Sequence, residues 1–468
     1  MMFYYDLIVI GDLIDNLSTI ASALSLNARV GFLEYQSDHI QKYLTVQSEN
    51  IYNKNINYHD FIEQKNNQIK YKYRPELEKK GVDFLAGQYH FEVENKRLFL
   101  RGKKKNNLSD RVYTPSYLLN ADRHILFSSS SPSSLINEKI ITVDQLIKED
   151  KWQNLPDNVA IVGSQISTIY LAQKLLRSNT NTTISLYTEN ESLLPCEDED
   201  ISWELQLHLE AKGLKIYKSR SFLSNSDQED MVGIINNHDL VITDFEENEL
   251  LETKQDNLGL QTIGLKFDRY GVRVNSKMQT HNPHIFACGD ILGGYNAESI
   301  LQQETETGVF NALFGGWRKI NYYQIPYSLK TSPSIYRLGY TGKQARMLML
   351  FGDSTEEISL HPRYSSGEQT ALGDNPPIFY LKIILDSQQR ILGVHCLGEM
   401  AEFIAVITTI FQENKPFSSL FKASFNQEMT HDLVKQIWDI YYYQHNHQNN
   451  HLAEVRKTFL IWKQDLFK

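Results

Sequence analysis

A buried strand that ends in a glycine and then departs from the expected turn constrains this chain most. Residues 6–11 read DLIVIG, which is typical of a parallel strand at the centre of an α/β sheet. In a dinucleotide-binding G-x-G-x-x-G turn, the second and third glycines would fall at Leu13 and Asn16. These residues, with Asp12 and Asp15 beside them, predict a nucleotide-binding fold whose phosphate-contacting turn is altered.

A second strand followed by a glycine repeats this arrangement in the middle of the chain. Residues 159–163 read VAIVG, and a helix with apolar periodicity follows. Gln165 and Thr168 take the positions of the second and third glycines. Two such strand–turn–helix units predict a pair of doubly wound domains.

The composition is that of a soluble globular protein with room for two or three domains. The chain has 468 residues, of which 41% are hydrophobic and 22% are charged. The net charge of -10 predicts no nucleic-acid partner, because binding a phosphate backbone needs a basic surface. No apolar run reaches the roughly 20 residues of a transmembrane segment. Three widely spaced cysteines, Cys196, Cys288 and Cys396, give no disulfide framework and predict a reducing, cytoplasmic location.

The C-terminal part of the chain has a different pattern, which predicts an α+β domain. Its predicted strands are 379–385 and 391–397, and its predicted helices are 401–412 and 431–442. A polar stretch at 445–451 and an amphipathic tail helix at 452–467 follow. The histidines of the polar stretch have no cysteine or carboxylate beside them, so no metal site is predicted there. The tail helix is a candidate docking segment for a protein partner or a membrane surface, and its alternative role is to pack on the chain's own dimer.

An acidic run at residues 197–200 reads EDED and precedes an amphipathic pattern at residues 201–211. Carboxylates at a helix N-terminus accept hydrogen bonds from free N–H groups and oppose the helix dipole. A glycine such as Gly213 commonly ends a helix. We predict a structural role for this acidic run.

The order of these segments resembles that of the FAD-dependent pyridine nucleotide-disulfide oxidoreductases, which include dihydrolipoamide dehydrogenase, glutathione reductase and mercuric reductase. The most specific match is residues 280–290, THNPHIFACGD, which resembles the family's T-x-x-P-x-I-[YF]-A-x-G-D flavin segment. Residues 325–346 are similar to the start of the family's dimerisation domain. The resemblance covers nearly the whole chain.

The resemblance implies an α/β fold with two Rossmann-like doubly wound dinucleotide-binding domains and a C-terminal α+β dimerisation domain. It also implies a homodimer, because two subunits complete each active site in this family. The predicted domains are an FAD-binding-like domain at 1–150 and 271–324, an NAD(P)-binding-like domain at 151–270, a dimerisation domain at 325–443, and a polar linker with a tail helix at 444–468.

The residues that carry the family's chemistry are replaced in this chain. The family's redox pair is a C-x-x-x-x-C motif after the second strand, and this sequence has no cysteine before Cys196. The family's general base is a histidine in an H-P-x-x-x-E motif, where Gln427 and Asp432 stand for the histidine and the glutamate. Only a thiolate forms the mixed disulfide, and glutamine exchanges no proton near neutral pH. The resemblance therefore implies a degenerate member without disulfide reductase activity.

The positions that bind FAD in the family are partly retained. Gly11 and Gly289 match glycines of the two flavin segments, Glu34 matches the acid that binds the adenosine ribose, and Asp290 matches the residue that binds the ribityl chain. Against them, the carboxylate of Asp12 would repel a phosphate about 4 Å away by roughly 4 kcal/mol. FAD therefore remains a candidate cofactor. A further hypothesis is that Asp12 and its neighbour Asp15 supply the negative charge in place of the pyrophosphate.

NAD(P) is predicted not to bind to the second unit. Gly163 matches the first glycine of the NAD(P)-binding turn, but Thr168 replaces the third. Tyr170 stands where a glutamate is usual, and Thr188, followed by Glu189, stands at the position of the ribose-binding acid.

Two functions remain open from the sequence. The first is a dimeric, non-catalytic scaffold or regulator that retains the fold. The second is an FAD-dependent NAD(P)H oxidoreductase that passes electrons to a non-disulfide acceptor. A thiol enzyme built on Cys288 or Cys396 is disfavoured, because both cysteines lie in apolar strands where thiols are usually inert.

Overall fold

The structure is a computed structural model in which the chain divides into two compact units. One unit contains Met1–Leu194 and Gln206–Tyr327, and the other contains Pro195–Leu205 and Ser328–Lys468. The residues described are 2–34, 58–85, 88–94, 97–103, 109–113, 116–119, 139–148, 155–163, 166–178, 182–219, 228–243, 258–260, 263–268, 271–293, 297–348, 355–363 and 378–448.

In the first unit, strand–helix alternation is interrupted by a run of strands between residues 83 and 142, and in the second unit the strands between residues 327 and 398 precede the two long helices. The strands are β1 (Met2–Tyr4), β2 (Leu7–Gly11), β3 (Val30–Glu34), β4 (Asp83–Leu85), β5 (Gln88–Glu94), β6 (Arg97–Lys103), β7 (Ser109–Tyr113), β8 (Tyr117–Leu119), β9 (Ile140–Thr142), β10 (Asn158–Val162), β11 (Thr183–Tyr187), β12 (Lys215–Tyr217), β13 (Leu240–Thr243), β14 (Phe267–Asp268), β15 (Gly271–Val272), β16 (Ile285–Ala287), β17 (Tyr327–Leu329), β18 (Ile335–Gly339), β19 (Glu356–Leu360), β20 (Ile378–Leu385) and β21 (Ile391–Gly398). The helices are α1 (Leu17–Ser25), α2 (Tyr58–Lys79), α3 (Val143–Lys148), α4 (Ile166–Ser178), α5 (Glu199–Ala211), α6 (Gln228–Asn237), α7 (Glu298–Phe314), α8 (Gly342–Leu348), α9 (Ala401–Gln412) and α10 (Glu428–Gln448). None of these described helices is both long enough and apolar enough to cross a membrane.

The first sheet has the order β16-β8-β2-β3-β4, and its strands are parallel. Its central strand β2 is buried along its whole length. Alternate side chains of a strand point to opposite faces, so Ile8 and Ile10 join one hydrophobic core while Leu7 and Val9 join another. Burial on both faces explains the unbroken apolar run in the sequence and confirms the predicted parallel strand.

The second sheet has the order β12-β11-β10-β13-β9 and is also parallel throughout. Its central strand β10 corresponds to the second predicted strand and is followed by α4. Two parallel sheets with crossover helices confirm the predicted α/β fold with Rossmann-like units. A four-stranded sheet, β1-β7-β6-β5, and the β14–β15 hairpin complete the first unit.

The second unit is built on the sheet β17-β18-β21-β20-β19, in which the pairings of β18, β21, β20 and β19 are antiparallel. Phe403 and Ile407 of α9 and Leu433 and Ile437 of α10 are buried in its core. The predicted strands and helices of the α+β domain are confirmed. Helix α10 is longer than predicted, so residues 445–448 of the predicted linker are helical, whereas the predicted tail helix lies outside the described residues.

Candidate functional site

The predicted flavin-binding residues meet at one edge of the first sheet. Gly11 ends β2, Glu34 ends β3, and Gly289 follows β16 after one intervening residue. Gly11 and Glu34 are partners in the register of β2 and β3. Because these strands are parallel, their carboxyl ends share an edge, which is where α/β sheets place their ligands.

In the turn after β2, side chains of the turn itself form hydrogen bonds with its backbone. The Asp12 side chain, only 6% exposed as a residue, accepts a hydrogen bond on Oδ1 from the Ile14 N–H at 3.0 Å. The Asn16 side chain donates from Nδ2 to the carbonyl oxygen of Asp12 at 2.8 Å and is completely buried. Leu13 is also completely buried and packs in the core beside Leu7. An isobutyl group therefore fills the position at which a glycine would let a pyrophosphate approach the backbone.

Glu34 is paired with a lysine of the chain. The ammonium nitrogen of Lys70, on α2, lies 2.6 Å from Oε1 of Glu34. The two side chains are 21% and 27% exposed, so the pair is partly shielded from water. The acid that the sequence assigns to the ribose hydroxyls thus already has a cationic partner.

In the second flavin segment, a buried carboxylate accepts the backbone N–H of Gly289. Glu304 of α7 accepts hydrogen bonds from the Gly289 N–H on Oε2 and from the Tyr322 hydroxyl on Oε1, both at 2.7 Å. Burial raises the pKa of Glu304, although these two hydrogen bonds oppose that shift. Gly289 has a φ of +77°, which favours glycine, and Asp290 beside it is half-buried in a 3₁₀ turn.

The corresponding turn of the second sheet is also satisfied locally. The Gly163 N–H donates to the carbonyl oxygen of Tyr187 at 3.0 Å. Thr188 is buried, and its hydroxyl accepts a hydrogen bond from the Asn190 N–H at 3.3 Å. At the position of the family's ribose-binding acid, the side chain therefore accepts a hydrogen bond from the backbone two residues further on. Gln165 lies outside the described residues.

Gln427 and Asp432 do not form a pair that resembles a catalytic dyad. Gln427 is exposed just before α10, and its Oε1 accepts a hydrogen bond from the Thr430 hydroxyl at 3.5 Å. Its N–H donates to Glu402 at 3.3 Å. Asp432 is half-buried within α10, and no described hydrogen bond joins it to Gln427.

Metal-binding groups of three or more His, Cys, Asp or Glu side chains are absent from the part of the chain that the structure describes. The side chains of the histidines in the polar stretch at 445–451 lie outside that part. The sequence prediction for that stretch therefore stays a prediction.

The three cysteines differ sharply in their surroundings. Burial, together with the charge of Glu304, raises the pKa of the Cys288 thiol well above its usual range. Burial raises the pKa of the Cys396 thiol to about 12. Both thiols are therefore protonated near neutral pH and unsuited to nucleophilic chemistry, whereas Cys196 is exposed.

Thiol labelling checks this difference directly. At neutral pH, Ellman's reagent is expected to modify Cys196 rapidly and to leave Cys288 and Cys396 unmodified until the protein is unfolded. Cys196→Ser should abolish the fast phase. Rapid modification of two or three thiols in the native protein would contradict the burial of the other cysteines.

The acidic run before α5 forms the predicted helix cap. Oδ1 of Asp198 accepts a hydrogen bond from the Asp200 N–H at 3.2 Å, and Glu199 and Asp200 occupy the first turn. Helix α5 ends at Ala211, and the Gly213 N–H donates to the Glu210 carbonyl oxygen. The capping prediction is confirmed, but it covers only part of what Asp198 does.

Asp198 also belongs to a group of charged side chains in the second unit, here called the Lys382 cluster: Lys382, Asp198, Asp200 and Glu357. The Lys382 ammonium lies 3.1 Å from Asp198, 2.7 Å from Asp200 and 3.2 Å from Glu357. The Lys382 and Asp198 side chains are 5% and 2% exposed. Oδ2 of Asp198 also accepts the Gly342 N–H at 2.8 Å. The cluster ties the segment before α5 to the sheet of the second unit.

Sequence reasoning missed Lys70, Glu304 and Lys382. Lys382 alone carries a visible signal, because it is the one charge within the apolar strand IFYLKIIL. A charge inside a buried strand requires a partner. Lys70 and Glu304 lie among other polar residues of their helices, and nothing in the local sequence distinguishes them.

Comparison with known proteins identifies a family for this chain. The family described as pyridine nucleotide-disulphide oxidoreductase matches residues 36–308. A dihydrolipoyl dehydrogenase from Bacillus subtilis is 32% identical over 285 residues, which are 59% of this chain and 58% of that protein. The match thus spans less than two thirds of that relative. A mercuric reductase from Bacillus cereus is 21% identical over 87% of this chain and 66% of its own length.

Solved structures show the same fold. LpdA from Mycobacterium tuberculosis aligns with a TM-score of 0.68 at 15% identity, over 92% of this chain and 99% of that one. The HOCl-induced flavoprotein disulfide reductase RclA from Escherichia coli, as its Cu(II) complex, aligns with a TM-score of 0.65 at 18% identity, over 93% and 99%. The family match and the two parallel sheets agree. The chain belongs to the pyridine nucleotide-disulphide oxidoreductase family.

Proposed function

We propose that the chain is a non-catalytic member of its family, a dimeric scaffold or regulator in the cytoplasm without disulfide reductase activity. The observation that carries this proposal is the replacement of both halves of the family's catalytic centre. The sequence has no cysteine before Cys196. Gln427 stands at the position of the histidine base, and its exposed side chain accepts a hydrogen bond from the Thr430 hydroxyl.

The residues at the carboxyl edge of the first sheet do not fit FAD in their present arrangement. Leu13 is buried where the backbone would have to be open, and the Asp12 carboxylate already accepts the Ile14 N–H. Glu34 is paired with Lys70. We therefore assign no reaction step to a flavin. The proposal of a dimer rests on the likeness of the second unit to the family's dimerisation domain.

A second candidate function is an FAD-dependent NAD(P)H oxidoreductase that passes electrons to a non-disulfide acceptor. The observation that favours it is the position of the retained acids. Glu34 ends β3, and Asp290 follows β16 at the same sheet edge. In a family member that binds FAD, the acid at the first position would bind the adenosine ribose and the acid at the second would bind the ribityl chain.

Activity measurements with added FAD test the proposal. The purified protein is expected to oxidise neither NADH nor NADPH with lipoamide or Ellman's reagent, because no thiolate pair is present to receive the electrons. It is also expected to show no oxidation with menadione or ferricyanide as acceptors. A dihydrolipoyl dehydrogenase assayed in parallel is the positive control. Turnover with a quinone or ferricyanide would overturn the proposal in favour of the second candidate.

A further inference from the structure

Three acidic side chains at the carboxyl edge of the first sheet already have partners within the chain. Asp12 follows β2, Glu34 ends β3, and Glu304 reaches the N–H of Gly289 beyond β16. Neighbouring strands lie about 4.8 Å apart, so the ends of β16 and β3, with β8 and β2 between them, are about 14 Å apart. The three contacts therefore fall within a span that one dinucleotide could cover.

At the first position, the Asp12 carboxylate does what a phosphate does in a nucleotide-binding turn. A phosphate there would accept free backbone N–H groups near the start of the following helix. Instead, Oδ1 of Asp12 accepts the Ile14 N–H, and the residue is 6% exposed. The Ile14 N–H therefore already has an acceptor within the chain.

At the second position, the Glu304 carboxylate satisfies the Gly289 N–H. Glu304 is 5% exposed, and its other oxygen accepts the Tyr322 hydroxyl. Moving this carboxylate aside would remove the acceptor of two part-buried donors, which is unfavourable.

At the third position, Lys70 supplies a partner for Glu34. A ribose-binding acid accepts hydrogen bonds from sugar hydroxyls. Here the Lys70 ammonium lies 2.6 Å from Oε1 of Glu34 and balances its charge as an ion pair, although this oxygen accepts no hydrogen bond of regular geometry.

We infer that Asp12, Glu304 and Lys70 form an internal substitute for FAD, which keeps the first sheet folded without the cofactor. The inference rests on the proposed function and deepens it, since it specifies how the family's cofactor site is occupied. It also refines the hypothesis made from the sequence. To the pair Asp12 and Asp15 of that hypothesis it adds a third carboxylate, that of Glu304 on α7.

Thermal unfolding of matched variants tests this inference. Asp6 and Asp12 lie at opposite ends of β2, and each accepts one backbone N–H. Asp12→Ala is expected to lower the melting temperature by about 3 °C, whereas Asp6→Ala, whose side chain is exposed, should lower it by less than about 1 °C. FAD should leave the melting temperature of the wild-type protein unchanged, because only a ligand bound to the native state raises it.

The inference requires all of these results. It is overturned if FAD stabilises the wild-type protein or if the two alanine variants melt alike. If Asp12→Ala does not fold, Asp12→Ser, which retains a neutral acceptor for the Ile14 N–H, takes its place in the same comparison. FAD binding without turnover would overturn this inference and leave the proposed function intact, whereas turnover with NAD(P)H would overturn the proposed function.

Discussion

Replacing Lys382 with methionine is expected to lower the free energy of unfolding by about 3–5 kcal/mol. The Asp198 side chain is 2% exposed and pairs with Lys382 at 3.1 Å. Methionine retains the length of the side chain but removes the charge, so Asp198 would remain as a buried anion with only backbone donors. Urea denaturation of the wild type and the variant measures the loss.

Two further variants test whether burial, and not the loss of an ion pair as such, causes this effect. Arg346 pairs with the same Glu357 at 2.7 Å, but its side chain is 56% exposed. Arg346→Met should therefore cost only about 0–1 kcal/mol. Combining Lys382→Met with Asp198→Asn should restore much of the stability, because replacing both members of a buried pair is often nearly neutral. Equal losses for Lys382→Met and Arg346→Met would contradict the buried-pair account.

The pH dependence of this stabilisation follows from the two pKa shifts. Burial alone would raise the pKa of Asp198, but His395, the Gly342 N–H and Lys382 together lower it below 3.8. Burial alone would lower the pKa of Lys382, but its hydrogen bond to Asp200 and the charge of Asp198 raise it above 10.5. The difference in stability between the wild type and the double variant should therefore be constant at intermediate pH. The wild type should lose stability relative to the double variant as the pH falls through the folded-state pKa of Asp198 and as it rises through that of Lys382.

The parts of the fold that the sequence predicted are those whose signal is local. The apolar run before Gly11 predicts a buried strand because a strand covered on both faces has no polar side. The EDED run predicts a helix cap because the Asp198 carboxylate and the Asp200 N–H are two residues apart. Spacing along the chain is sufficient for both predictions.

The contacts that decide the chemistry of the site are not local. Lys382 is 184 residues from Asp198, and Glu304 is 15 residues from Gly289 on a different element. Sequence spacing predicted that the turn at Asp12 was altered, but not that a carboxylate from α7 would satisfy the second flavin segment. Only the packing of α7 against the end of β16 brings that carboxylate and that N–H together.

Replacing Gly339 with alanine is expected to destabilise the second unit by about 2–3 kcal/mol more than Gly264→Ala, its matched control. Gly339 has a φ of +78° and Gly264 a φ of +75°, so both variants bear the same left-handed strain of about 1–2 kcal/mol. A Cβ at Gly339 would lie 2.1 Å from the carbonyl oxygen of Leu392, whereas one at Gly264 would meet nothing within 4 Å. Backbone cannot rotate away as a side chain can, so β18 and β21 must separate. Urea denaturation that gave equal losses for the two variants would contradict this close approach.

The same variant connects the strand pairing to the Lys382 cluster. Gly339 ends β18, and three residues later the Gly342 N–H donates to Asp198 at 2.8 Å. If separation of the strands moves Gly342, the carboxylate loses its backbone donor, and the pairing of Asp198 with Lys382 loosens. Lys382→Met should then cost less in the Gly339→Ala background than in the wild type, since residues that share one network do not contribute additively. In the Gly264→Ala background the cost should be unchanged. Additive losses in both backgrounds would show that the turn at Gly339 and the Lys382 cluster are independent.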